Sequence, residues 1–197
     1  PADVKIAVDA GWNYIGYTPL VDMDVTEALK NYMAHDGDVI KSQDAFAVYT
    51  TRNGWEGDLM SLAPGHGYML KRSLGAGKTS FCYPSDVGGA SAKVNTVGAK
   101  CHPYAENMNI VGEISDIDIQ EGDSVVALVN GELRGFGMVD EHQKVYLTIH
   151  GDEDANVILA LQRDGNIVAT ANEMVGYQSN TVIGTPDSPT AIRFSST

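Results

Sequence analysis

Large apolar residues in this chain recur at every second position, in short runs closed off by glycine. Gly11-Trp12-Asn13-Tyr14-Ile15-Gly16-Tyr17 is one such run. Gly54-Trp55-Glu56-Gly57 and Gly65-His66-Gly67-Tyr68-Met69-Leu70-Lys71 repeat the pattern later in the chain. A period of two is that of a strand with one buried face. Helical spacing shows in one place only, where Val25, Leu29, Tyr32 and Met33 form an apolar stripe with Ala28 beside it. Asp24 stands as its N-cap with Glu27 three residues on, and the helix is expected to end near Ala34-His35, before Asp36-Gly37. The first part of the chain therefore reads as strands gathered around one helix.

The same punctuation continues to the C-terminus. Strands are expected over residues 4–8, 38–41, 45–50, 67–71 and 79–83, with Asn53-Gly54 as a hairpin turn. From Asn107 onward the alternation is all strand: Met108 to Ile114, Ser124 to Val129, Leu133 to Val139, Lys144 to His150, Val157 to Gln162 and Ile167 to Thr170. Asn130-Gly131 and Asp164-Gly165 mark the turns between neighbours. Short strands at this spacing predict a sandwich. Between the halves, Ser85-Asp86-Val87-Gly88-Gly89-Ala90-Ser91-Ala92 and its neighbours are small and flexible. The fold class is thus mainly β. Residues 1–84 form a β-rich unit with one α-helix (α+β), 85–104 a flexible linker, and 105–197 an antiparallel β-sandwich.

Charge narrows the partners. The net charge is −13, and a phosphate backbone needs a basic face, so nucleic acid is excluded. Residues 1–90 carry seven Lys/Arg against eleven Asp/Glu, and residues 91–197 carry six against fifteen, so the second half is the more acidic. No apolar run reaches the ~20 residues of a membrane span. No charged-then-apolar leader is visible in the sequence from Pro1, and the chain is expected to be a piece of a longer polypeptide, secreted or displayed at the cell surface.

Few motifs point to chemistry. Gly75-Ala76-Gly77-Lys78-Thr79-Ser80 resembles the end of a phosphate loop, but Arg72 stands where that loop needs glycine, and a strand follows where it needs a helix. Asp152-Glu153-Asp154 offers oxygen ligands of the kind calcium takes, although its spacing is not that of a helix–loop–helix calcium site; a solvated acidic turn is the alternative. No other cofactor is indicated. The five histidines are scattered, without the helical spacing of a metal pair. Cys82 and Cys101 are the only cysteines; a disulfide between them and two free thiols are both open. Trp55 follows a turn, and with Tyr49 and Tyr68 it is the candidate for an exposed aromatic platform that stacks on sugars; core packing is the alternative.

An ordered series in the first unit resembles a module recurring in large secreted and cell-surface proteins of Bacteroidetes-like bacteria. Its residues are Gly11-Trp12-Asn13-Tyr14-Ile15-Gly16-Tyr17, Gly37-Asp38-Val39-Ile40-Lys41-Ser42-Gln43, Gly54-Trp55-Glu56-Gly57 and Pro64-Gly65-His66-Gly67-Tyr68-Met69-Leu70-Lys71. The second unit is similar to a β-sandwich module that often follows it, through Glu121-Gly122-Asp123-Ser124-Val125-Val126-Ala127, Asn130-Gly131-Glu132-Leu133-Arg134-Gly135 and Val182-Ile183-Gly184-Thr185-Pro186-Asp187. The resemblance implies an accessory, non-catalytic piece. Its partners would be other domains of the same polypeptide and a glycan or a host or surface protein. Adhesion, ligand binding or domain spacing is the leading expectation. The competing expectations are a carbohydrate-binding module and a fragment of a hydrolase acting on glycans or peptides.

Overall fold

The computed structural model describes residues 4–84 and 103–196. The chain is mainly β and divides into two compact units, one on either side of residues 85–102. The linker expected over 85–104 and the thiol of Cys101 fall almost wholly outside the described residues.

The first unit is built on a five-stranded antiparallel sheet. Its strands are β2 (Gly11–Gly16), β4 (Val39–Lys41), β5 (Phe46–Thr50), β6 (Gly54–Gly57) and β8 (Gly67–Arg72), in the order β2-β8-β4-β5-β6. Two small pairs cover one face: β1 (Ile6–Val8) with β9 (Thr79–Phe81), and β3 (Met23–Asp24) with β7 (Ser61–Leu62). Alternation decides the inward set. Ile15 and Tyr17, Ile40, Ala47, Tyr68 and Leu70 face a core shared with Met23, Val25, Ala28, Leu29, Tyr32 and Phe81. Aromatic rings run through that core in one chain of contacts, Tyr17 to Tyr83 to Phe81 to Tyr32, with centroids 4.9, 5.2 and 5.5 Å apart.

The helix is a correction to the expectation. It spans only Val25–Ala28, with Asp24 Oδ1 accepting the Thr26 N–H at 2.9 Å as the cap. Glu27 pairs with Lys30 rather than turning back to the cap. Beyond it the chain winds in tighter turns, Tyr32 N–H reaching Leu29 O at 2.9 Å. Those turns keep Leu29 and Tyr32 inside but leave Met33, expected in the stripe, 70% exposed. A buried polar network competes for the backbone there. Arg72 Nη1 donates to Met33 O at 2.8 Å, and the His35 N–H donates to Asp38 Oδ2 at 3.0 Å. Neither group is then available to prolong the helix.

That network joins three segments. Asp38 is fully buried and Arg72 nearly so. Asp38 Oδ2 accepts the Tyr32 hydroxyl at 2.8 Å and lies 3.9 Å from Arg72 Nη1, while Oδ1 accepts Ser73 N–H and Oγ–H at 2.8 and 2.9 Å. The Arg72 guanidinium also holds Gly77 O at 2.8 Å and Ala76 O at 3.0 Å. The residues that resembled a phosphate loop are thus a short 3-10 turn, Leu74–Ala76, whose following carbonyls are spent on Arg72.

The second unit is one ten-stranded sheet. Its long strands are β10 (Glu106–Ile114), β11 (Ser124–Val129), β12 (Glu132–Met138), β13 (Lys144–Gly151), β14 (Asn156–Arg163) and β15 (Asn166–Ala171); the short ones are β16 (Val175–Gly176), β17 (Val182–Ile183), β18 (Thr190–Ile192) and β19 (Phe194–Ser196). The order of the long strands is β10-β13-β12-β11-β14-β15. Asn130 and Gly131 take φ of 51° and 81°, the double positive turn that matches strand twist. β18 runs parallel to β10 and β19 antiparallel to β15, and only Arg193 separates them. One stretch of tail therefore touches both edges and curls the sheet around its own inner face. The sandwich-like layers are halves of a continuous hydrogen-bonded sheet. Met108, Ile110, Val125, Ala127, Val145, Leu147, Val157 and Leu159 fill the space between them.

Removing one partner of a buried ion pair strands the other, a cost of about 3–5 kcal/mol. Asp38→Ala should therefore destabilise the first unit by about that much. Both tryptophans, Trp12 and Trp55, lie in this unit, so urea unfolding followed by tryptophan fluorescence reads it selectively. A shift of less than about 1 kcal/mol would contradict the assignment.

Candidate functional site

The three aromatics expected to form a platform do not lie in one exposed row. Tyr68 is buried, and its hydroxyl accepts the Ala63 N–H at 2.9 Å. Trp55 packs half-buried against the core, with Tyr32 stacked at 6.5 Å and Tyr49 edge-on at 5.3 Å. Tyr49 and Trp55 are brought together because they are cross-strand partners of β5 and β6. Tyr68 stands elsewhere, on β8.

The opposite face of the same sheet carries a different group. Residues that are out of phase with Ile15 and Leu70 must point away from the core. In register, Trp12 lies beside Lys71 and then Val39; Tyr14 lies beside Met69 and then Lys41. Tyr14 is 84% exposed. The Trp12 indole supports two ammonium groups, Lys41 Nζ at 4.8 Å and Lys71 Nζ at 5.6 Å from the ring centroid. Such contacts hold a cation in place without neutralising it. Lys41 is buried beneath, among Val39, Phe46 and Val48, whereas Lys71 is only half-buried. The result is an open phenol ring on β2 with a ring-supported ammonium at its diagonal on β8. Sequence periodicity puts Trp12 with Tyr14 and Met69 with Lys71 on common faces, but the large apolar residues of that alternation read as the buried face, and the structure turns Tyr14 outward.

Asp58 follows β6 on this sheet. Its Oδ1 accepts the Phe46 N–H at 2.8 Å. Burial pushes its carboxyl up to about 7, with the Phe46 bond pulling the other way and nearby Asp44 adding to the rise.

Several acidic residues of the second unit are tied to backbone or to arginine. The Asp123 carboxylate, fully buried, accepts Arg163 Nε at 2.8 Å and Nη2 at 2.7 Å, and this guanidinium holds it below the usual carboxylate range. Asp116 Oδ2 accepts the Phe194 N–H at 2.9 Å. Asp152, the first of the calcium candidates, accepts the Ala105 N–H at 3.0 Å. Glu153 and Asp154 follow it in the exposed turn before β14. Among the described residues no three His, Cys, Asp or Glu side chains converge as a metal cluster. Cys82 is half-buried, and its expected partner Cys101 lies outside the described residues.

The second unit also has a cleft of about 640 Å³. Ile110, Leu159, Ile183 and Ile192 line it together with the exposed Glu173 and Arg193. On the outer side of β12 and β14, Leu133, Phe136, Met138 and Ile158 are exposed. Among the described residues no helix is long and apolar enough to cross a membrane.

The chain matches no protein-family model, no curated protein and no solved structure with which it was compared.

Asp58 makes a pH prediction with a definite sign. Its folded carboxyl keeps a proton up to about pH 7, whereas the unfolded one releases it near 3.8. Folding then binds a proton in that window, so stability of the first unit falls as pH rises from about 4 to about 7. Asp58→Asn, which keeps the acceptor for Phe46, should remove that slope from urea unfolding curves read by tryptophan fluorescence.

Proposed function

We propose that this chain is a non-catalytic module of an exported bacterial cell-surface protein and that it binds a glycan on the outer face of the five-stranded sheet of its first unit. One observation carries the reading. Tyr14, 84% exposed in the middle of a regular strand, makes no hydrogen bond or ring contact with any described residue, and it stands beside Met69 and two lysines positioned by Trp12. A large ring left bare on a rigid sheet costs apolar exposure, and that cost is recovered when a flat partner covers it. Sugar rings present such a face. The resemblance of the sequence to accessory modules of surface proteins supports the same class.

Contact with neighbouring domains of the same polypeptide is the second reading, favoured by the exposed Leu133, Phe136 and Met138 of the second unit. It predicts that a longer fragment carrying the adjoining domain loses the association on Phe136→Lys.

A glycan array probed with the purified chain tests the first reading. Tyr14→Ala should lower binding to any glycan captured by about tenfold, the loss of one aromatic stacking contact. Its far-UV circular dichroism and unfolding midpoint should stay unchanged. Binding that survives the substitution at full strength would put the site elsewhere.

A further inference from the structure

We infer that the glycan taken at this face is acidic, and that Lys71 reads its carboxylate while Tyr14 carries the sugar ring. The inference rests on the glycan-binding reading and names the ligand class of the same site.

Geometry supplies the first step. Tyr14 pairs with Met69 across β2 and β8, and Lys71 is two residues further along β8 on the same face. Diagonal neighbours of this kind are roughly 7–8 Å apart at their backbones. A single pyranose spans that gap. With its ring on Tyr14, a carboxylate on its edge points toward the ammonium.

Electrostatics supplies the second. The chain carries a net −13, so acids are plentiful partners for a lysine. Lys78 pairs with Asp9 at 2.9 Å and Lys30 pairs with Glu27. Lys71 is different: its ammonium lies 5.6 Å from the Trp12 ring centroid, and no carboxylate is bonded to it among the described residues. It is half-buried, so its charge is screened less than that of a fully exposed lysine. Lys41 Nζ packs over the same indole, 4.8 Å from its centroid, and helps to fix the ring on which Lys71 rests. An anion arriving there meets a cation already positioned, with little side-chain freedom left to lose.

Chemistry narrows the partner further. A nucleic acid presents a long row of phosphates and needs many cations, which this acidic chain lacks. One bare ring next to one available cation matches a sugar acid. An acidic peptide would use the cation and leave the ring uncovered.

The test uses isothermal titration of the full chain with oligomers of glucuronic, galacturonic and mannuronic acid, each beside the neutral glucose, galactose or mannose oligomer of matched length. A poly-glutamate peptide is the non-sugar probe. At least one acidic series should bind about tenfold or more tightly than its neutral partner, the size expected of one charge-assisted hydrogen bond. The advantage should shrink with added salt. Lys71→Gln should bring the acidic oligomer down to the neutral level, and Lys71→Arg should keep most of the preference; circular dichroism checks that both variants fold. Equal binding of acidic and neutral oligomers would overturn the inference and leave the glycan site standing. Binding of no oligomer of either kind would overturn both. Capture of poly-glutamate alone, lost on Lys71→Gln, would overturn both in favour of a peptide partner.

Discussion

Asp38 and Arg72 meet where three segments of the first unit come together, and their burial ties local geometry to the placement of everything on the neighbouring sheet. A buried ion pair is a poor source of net stability, because desolvation offsets most of the attraction. Its value here is positional. Arg72 ends β8, Asp38 stands just before β4, and the two strands pair directly. A slip of one residue would drive Arg72 to the outer face and leave the Asp38 carboxylate buried without its cation. The same slip would turn Lys71 inward. The register that satisfies Arg72 inside is therefore the register that sets Lys71 and Met69 outside, beside Trp12 and Tyr14.

The second unit solves a different problem by related means. A sheet of this length has two open edges, and open edges are templates for unwanted pairing. The C-terminal tail occupies one edge with β18 and the other with β19. Asp123 and Arg163 pin the 115–123 connection against β14, and Arg163 Nη2 also holds Asp118 O at 2.9 Å. Part of the acidity that looks chemical in the sequence is thereby absorbed: Asp116, Asp123 and Asp152 accept backbone N–H groups or a single guanidinium, as structural ties between loops and strands.

Period-two alternation made most of the fold legible. The long strands of both units, the Asn130-Gly131 hairpin and the Asp24 cap could all be assigned from residue order. The tail could not, because Val182-Ile183 and Thr190–Ile192 are too short to show a period and take their form from pairing with β10. The helix was overextended for a tertiary reason: an apolar stripe at helical spacing persists through Tyr32, but Arg72 and Asp38, distant in sequence, claim the backbone groups that another turn would need. The site was half legible. Alternation groups Trp12 with Tyr14 and Met69 with Lys71, but that this group faces outward follows only once Ile15 and Leu70 are seen in the core. That two lysines would gather on one indole requires knowing that β2, β8 and β4 are neighbours, and that order is set by non-local pairing.

An unpaired lysine on so acidic a chain calls for a physical reason to stay unpaired. Lys71 has one in Trp12. A cation over an indole gains attraction from the ring quadrupole without a partner of opposite charge, and the flanking positions on its face, Met69 and Val39, are neutral. The sheet thus holds a positive charge apart from the acids that dominate elsewhere. Because the support is a ring and the backbone beneath it is a paired strand, the charge is fixed in position before any ligand arrives. A loop could offer the same residue types, but it would surrender more freedom on binding. Rigidity of the strand and flanking positions free of acids together are what distinguish this lysine from an ordinary solvated one.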